Sequence, residues 1–270
     1  MSQIERPPAS PTPREPGFDG AAVVAEAAPR LRGAAPQEVL GWALTAFPGD
    51  RLALCTSFQD EGMVLLDMAW RLDPAVNVFT IDTGRLPVAT LDLIEEVRER
   101  YQVRVEVLYP DAAEVSALVS KHGPNLFYRS VDLRLSCCEV RKVRPLNRRL
   151  STLDAWIAGL RRGQSETRRD VAEVELDTAH GGVVKLNPLA GWSTEQVAAY
   201  IAEHNVPRSS LYARGYTSIG CEPCTRATEP GEDPRAGRWW WEQGAKECGL
   251  NYQLQVDPGG TARIVTTKAS

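Results

Sequence analysis

Five consecutive stretches near the start of the chain leave little freedom for its architecture. RLALC (51–55), VNVFTI (76–81) and VRVEVLY (103–109) are apolar runs of strand length. Between them, GMVLLDMAWRL (62–72) repeats apolar residues at helical spacing, and LPVATLDLIEEVRERY (86–101) does so with a charged outer face. Strands that alternate with crossover helices predict an α/β fold: a mostly parallel, twisted sheet with helices on both faces. The same rhythm predicts a helix at 141–149, strands near 155–159, 171–176 and 184–186, and a helix over 194–205 opened by Ser193 or Thr194 as its cap.

The ends of the chain read differently. MSQIERPPASPTPREPG carries five prolines and both charge signs but no apolar stretch, so residues 1–33 are expected to be a disordered, Pro-rich lead-in and not a signal peptide. Residues 34–219 form the α/β domain. From Gly220 onward the composition shifts to Gly, Pro, Arg and Trp, and 220–270 is expected to be a C-terminal segment appended to the core. At 270 residues, 43% hydrophobic and 24% charged, the chain can bury one sizeable core. A net charge of −4 argues against bulk capture of nucleic acid or acidic membranes, and no run of about 18 apolar residues offers a membrane span. A cytoplasmic location is the default expectation, where thiols stay reduced and metal or catalytic uses gain weight.

In such a sheet, ligands gather at the carboxyl ends of the strands where strand order reverses. Two loops follow strands there: CTSFQDEG (55–62) and DTGRL (82–86). Backbone N–H groups and the Ser57 hydroxyl of the first could hold an anion, or Ser57 could simply cap the following helix. The glycines of a Walker loop are absent from it.

Six cysteines carry the remaining chemistry. Cys137 and Cys138 are neighbours, with Cα atoms about 3.8 Å apart, closer than a relaxed disulfide prefers. With the C-x-x-C of Cys221 and Cys224 they make four thiolates, which fit a tetrahedral zinc site or a four-iron cluster. Touching cysteines chelate one ion awkwardly, whereas a cluster spreads its ligands over different irons. That favours the cluster and leaves zinc and coincidence open. Cys55 ends an apolar strand and reads as a small buried hydrophobe. Cys248, in KECGLN downstream of Arg235 and Arg238, reads either as a nucleophile with its pKa lowered by cations or as an inert surface thiol. With no second free cysteine near it, a covalent intermediate on Cys248 would need an outside thiol to resolve it.

The motifs CCEVRK, GYTSIGCEPCTR, GRWWWE and KECGLN, in this order behind TSFQDEGMVLLDMA and FTIDTGRL, resemble the iron–sulfur adenylyl-sulfate reductases of bacterial sulfate assimilation, within the wider sulfonucleotide reductases. The likeness covers about residues 51–251. It implies a PP-loop, adenine nucleotide alpha hydrolase-like fold with a C-terminal catalytic tail, a [4Fe-4S] cluster on Cys137, Cys138, Cys221 and Cys224, and Cys248 as nucleophile. The implied reaction is attack of that thiolate on the sulfur of adenosine 5′-phosphosulfate with release of AMP, after which thioredoxin reduces the S-sulfocysteine and liberates sulfite. Carried over by position, Ser57 would contact the phosphate region and Phe79 would lie near the adenine. Lys142 would stand close to cluster and sulfate, and Arg168, Arg235 and Arg238 would meet the phosphosulfate. Asn251 and Arg134 stand where relatives commonly have histidines, and Arg134 could supply its own charge to the anion. The three tryptophans 239–241 read as hydrophobic anchors or as a stacking platform. Alternatives are a reductase of the 3′-phosphorylated or of both nucleotides, a PP-loop ATP-dependent tRNA-thiolation enzyme, and a zinc-stabilised binding module. The resemblance leaves oligomeric state open, a homo-oligomer included.

Overall fold

In a computed structural model of the chain, residue 14, residues 17–242 and the short strands at 253–256 and 262–265 are described. Six strands form one sheet: β1 (Leu52–Cys55), β2 (Val78–Ile81), β3 (Val105–Leu108), β4 (Ala155–Ile157), β5 (Val174–Asp177) and β6 (Val183–Leu186). Their spatial order is β3-β2-β1-β4-β6-β5. All neighbours are parallel except β5, which runs antiparallel to β6. The order reverses between β1 and β4, so the crevice at their carboxyl ends is the place a ligand is expected. Strand β5 begins three residues later than predicted. Its connection to β6 is short and passes through Gly181 and Gly182 at positive φ, which allows only a hairpin and hence the antiparallel edge.

Successive residues of the strands point to opposite faces. Leu52, Leu54, Val78, Ala155 and Ile157 join one buried cluster, beneath α2 (Pro36–Ala46), α3 (Asp60–Leu72), α4 (Val88–Tyr101) and α8 (Thr194–His204). Ala53, Phe79, Ile81 and Trp156 join the other, under α7 (Arg144–Leu150). Helices therefore cover both faces, as the strand–helix rhythm implies. Two further helices, α5 (Ala112–His122) and α6 (Val131–Cys138), precede a π-helical turn, Glu139–Val143, that leads into α7. The expected helix at 141–149 is thus divided, with the wide turn carrying Arg141 and Lys142.

Both ends need correction. Residues 20–31 are not a disordered lead-in but a helix, α1 (Gly20–Leu31), with the Asp19 side chain accepting from the Ala22 N–H and with Ala27 and Leu31 buried. It packs on β5 and β6, and Gly20 lies so close to the Gly182 carbonyl that a β-carbon would collide there. The Pro-rich residues before Arg14 fall outside the described residues. At the other end, 220–242 is not an appendage. Trp239 is 1% exposed and packs with Phe127, Cys137 and Cys224. The Glu222 N–H donates to the Arg85 carbonyl at 2.9 Å. A small antiparallel hairpin, β7 (Gln253–Val256) with β8 (Ala262–Val265), follows in the C-terminal extension.

Candidate active site

A cavity of about 750 Å³ opens at the β1/β4 reversal, a size suited to a nucleotide. Its floor is the loop between β1 and α3. Phe58 adopts φ 57° there while its ring is buried, and its N–H donates to the Thr56 hydroxyl at 3.0 Å. A non-glycine residue in the left-handed region is held there by its surroundings. Gly62 faces Thr56 so closely that no β-carbon fits between them. Helix α3 starts in the cavity with no cap from the Gln59 side chain; the Tyr212 hydroxyl accepts the Asp60 N–H, and the first turn carries Asp60 and Glu61. Ser57 does not cap it: the hydroxyl is exposed, lines the cavity and accepts from Gln59 Nε2 at 3.0 Å.

Cations surround this floor. Lys142, Arg168, Arg235 and Arg238 all line the cavity, so four of the six substrate residues implied by resemblance are brought together with Ser57. Arg238 is 5% exposed and donates only to neutral acceptors among the described residues, the Ile219 carbonyl at 3.2 Å and the Ser218 hydroxyl at 3.4 Å. Arg168 hydrogen-bonds Gln164. Phe79 is the exception. It lies on the face that reaches the cavity but is 0% exposed, capped by the Arg149 guanidinium 5.9 Å from its ring centre. The carboxyl end of β2 is two residues farther on, about 7 Å along a strand, and there Ile81 lines the cavity instead. Phe79 is thus not among the residues that line the cavity, and Thr80 and Ile81 are the β2 residues that do.

Several cavity residues escaped the sequence reading. Arg161, in an arginine-rich run that resembles a solvated surface, is 5% exposed. It donates to Glu61 Oε1 at 2.9 Å and to the Trp192 carbonyl at 3.1 Å. Arg208 grips Asp60 through both oxygens, at 2.9 and 2.7 Å, with Tyr212 beneath its guanidinium. The signal was present only as carboxylates one and two residues into a strand-following helix.

Beside the cavity lies a second, small one lined by all four paired and C-x-x-C cysteines, together with Arg85, Arg134, Arg141 and Lys142. Lys142 borders both spaces. The Thr83 hydroxyl meets Cys221 Sγ at 3.2 Å, and the Thr83 carbonyl accepts from Arg141 at 2.6 Å. Burial raises the Cys137 thiol, with Arg141 opposing, and burial with the neighbouring Cys221 pushes Cys224 up to about 12. Among the described residues, no three Cys, His, Asp or Glu side chains form a group that could hold a single metal ion. Four thiols around one space, with cations and a hydroxyl at hand, are a donor set that could hold an iron–sulfur cluster. Cys55 is pushed up to about 12 by burial, with Lys185 opposing, which disfavours it as a nucleophile. Cys248 and Asn251 lie outside the described residues.

Arg134 does not offer its charge to an anion in the large cavity. At 1% exposure it holds Glu242 through Nε at 3.0 Å and Nη2 at 2.8 Å, with its guanidinium over Trp239. Two of the three tryptophans act as anchors: Trp239 is buried, and Trp241 packs on Phe127 and Tyr128, whereas Trp240 is exposed.

An open α/β sheet with a nucleotide-sized, cation-lined cavity at its reversal point, and a cysteine cage alongside, defines an adenine-nucleotide-binding protein of the PP-loop kind. The phosphoadenosine phosphosulfate reductase domain matches residues 51–227, and the chain belongs to this family, the sulfonucleotide reductases. It is 49% identical to the adenosine 5′-phosphosulfate reductase of Burkholderia cepacia over 75% of this chain and 81% of that protein. It is 48% identical to that of Allochromatium vinosum, over 75% and 79%. Among solved structures, the phosphoadenylyl-sulfate reductase of Candida auris, a phosphate complex, aligns with a TM-score of 0.62 at 32% identity, covering 73% of this chain and 95% of that one. FMN adenylyltransferase of Candida glabrata with ATP, at 15% identity and a TM-score of 0.50, covers 77% of this chain and 64% of that one and shares the fold alone.

Proposed function

We propose that the chain reduces adenosine 5′-phosphosulfate to sulfite and AMP. The observation that carries this is the cation-lined cavity at the sheet's reversal point sharing Lys142 with the four-thiol cage. In this reading the Cys248 thiolate attacks the sulfur, the bond from sulfur to the phosphate oxygen breaks, and AMP leaves with that electron pair. A reduced dithiol, thioredoxin, then attacks the Cys248 sulfur of the S-sulfocysteine, releases sulfite and restores the Cys248 thiol as its own pair is oxidised to the disulfide. Both thiolate and sulfate are anionic, so cations must offset their repulsion and the charge growing on the leaving phosphate. Lys142, Arg168, Arg235 and Arg238 supply that field, and the Ser57 hydroxyl adds a hydrogen-bonding group. Cys137, Cys138, Cys221 and Cys224 would hold a [4Fe-4S] cluster. When bound, it would supply a redox-capable centre whose potential responds to its thiolates and to hydrogen bonds such as that between Thr83 and Cys221. A cytoplasmic home follows from the need for reduced thiols.

Anaerobically purified protein should be brown and should release sulfite from adenosine 5′-phosphosulfate in the presence of thioredoxin. Cys248→Ser should keep its colour and bind AMP, yet lose turnover by a factor of at least about 10³. Retained turnover would remove Cys248 as nucleophile. The likeness to the phosphoadenylyl-sulfate reductase of Candida auris favours a second reading, acceptance of the 3′-phosphorylated nucleotide, which competition between the two substrates in one assay distinguishes.

A further inference from the structure

The two candidate substrates differ by one dianionic phosphate, so the charge balance of the cavity decides how each is received. Arg161 is neutralised by Glu61, and Arg208 by Asp60. Those carboxylates are consecutive residues in the first turn of α3. Arg238, by contrast, has only neutral acceptors among the described residues. The Asp60 pair is closed on itself: both of its oxygens lie in the Arg208 fork, the guanidinium stacks 4.5 Å from the Tyr212 ring centre, and the Tyr212 hydroxyl accepts the Asp60 N–H at 3.2 Å. All three residues line the cavity. Two parallel N–H donors of a guanidinium suit a phosphate as well as they suit a carboxylate. A phosphate reaching for Arg208 must displace Asp60, and the carboxylate would then stand beside it as a like charge in a partly desolvated site.

We infer that Asp60 is a specificity-determining residue: by occupying the Arg208 fork it denies the cavity a binding group for a second phosphate and opposes the 3′-phosphorylated substrate. The inference rests on the reading of the cavity as a sulfonucleotide site. Asp60→Asn keeps the shape of the side chain but removes the negative charge, which turns Arg208 from a neutralised cation into a phosphate ligand.

The test compares AMP with adenosine 3′,5′-bisphosphate by equilibrium binding, and the two sulfonucleotides by kcat/KM, on the holoenzyme. Wild type should favour the nucleotides without the 3′-phosphate. Asp60→Asn should shift both ratios toward the 3′-phosphorylated forms by about tenfold, chiefly through Kd and KM. Arg208→Gln added to Asp60→Asn should abolish the gain, and Arg208→Gln alone, which uncovers Asp60, should widen the wild-type preference. A ratio unmoved in Asp60→Asn, or a wild type that prefers the bisphosphate, overturns the inference. Should Asp60→Asn fail to fold, the wild-type preference and its widening in Arg208→Gln decide the matter, and no widening overturns it. Wild type that binds and converts neither nucleotide removes the reading of the cavity itself.

Discussion

Asp67 joins three helices through one carboxylate. It is 1% exposed on α3 and accepts from Arg71 at 2.6 Å, from the Tyr101 hydroxyl of α4 at 3.0 Å and from the Tyr200 hydroxyl of α8 at 2.8 Å. Burial alone would raise its pKa, and these donors outweigh burial and hold the carboxyl below the ordinary carboxylate range. A depressed folded pKa contributes stability that is fully present above the unfolded value and is lost as pH falls through the folded one. Asp67→Asn should therefore cost about 2–3 kcal/mol near pH 7. The urea midpoints of wild type and variant should converge on acidification below about pH 4. Parallel curves across that range would remove the carboxylate as the cause. At this scale the sequence was partly legible. The four cysteines, Lys142 and the C-terminal arginines are distinctive residue types in distinctive spacing. Arg161 was not, because a buried arginine and a solvated one look alike until the partner carboxylate, Glu61, is brought to it by the β1/β4 reversal. Phe79 lies two residues short of the strand's carboxyl end and is buried, a depth that periodicity does not encode.

Elements were legible where one period dominated. The strands with β-branched, fully buried residues read clearly, as did α3 and α4, whose apolar stripes are long. The division of 139–150 into a π turn and α7 left no mark, since inserting one residue in a helical turn does not change composition. Helix α1 was obscured by its Pro-rich approach and by alanines, which bury little area each; it carries Pro29 in its last turn. Its role is to cover the sheet at β5, the antiparallel edge strand. A chain starting at residue 34 should lose Ala27, Leu31 and the Phe18 contact with Phe47, about 3 kcal/mol of buried apolar surface. It should also expose backbone at β5 that invites edge-to-edge pairing. A lowered Tm together with concentration-dependent association, read by light scattering, is the expected outcome. A truncated chain that stays monomeric with an unchanged Tm would show that α1 is dispensable.

Across the whole molecule, two parts of the chain far apart in sequence meet at the cysteine cage. Cys137 and Cys138 end α6, which belongs to the α/β domain, and Cys221 and Cys224 open the segment that lines the cavity with Arg235 and Arg238. Protein contacts already join them, among them Thr83 to Cys221, Glu222 to Arg85, Tyr128 to the Pro223 carbonyl, the buried Arg134–Glu242 pair, and Trp239 against Phe127. If the four thiols share a cluster, it closes the long loop between them, and such cross-links contribute roughly 4 kcal/mol by restricting the unfolded chain. Removing iron with a chelator under reducing conditions should then loosen 220–242 selectively and leave the sheet intact. Trypsin should cut at Arg226 and Arg235, both half-buried now, well before any site in the strands. AMP affinity should fall in parallel, because Arg235 and Arg238 reach the cavity only while that segment is docked. Fragments separated by mass spectrometry give the order of cleavage. Equal rates before and after iron removal would mean that the buried tryptophan and the Arg134–Glu242 pair hold the segment unaided, and that the thiols contribute nothing to its docking.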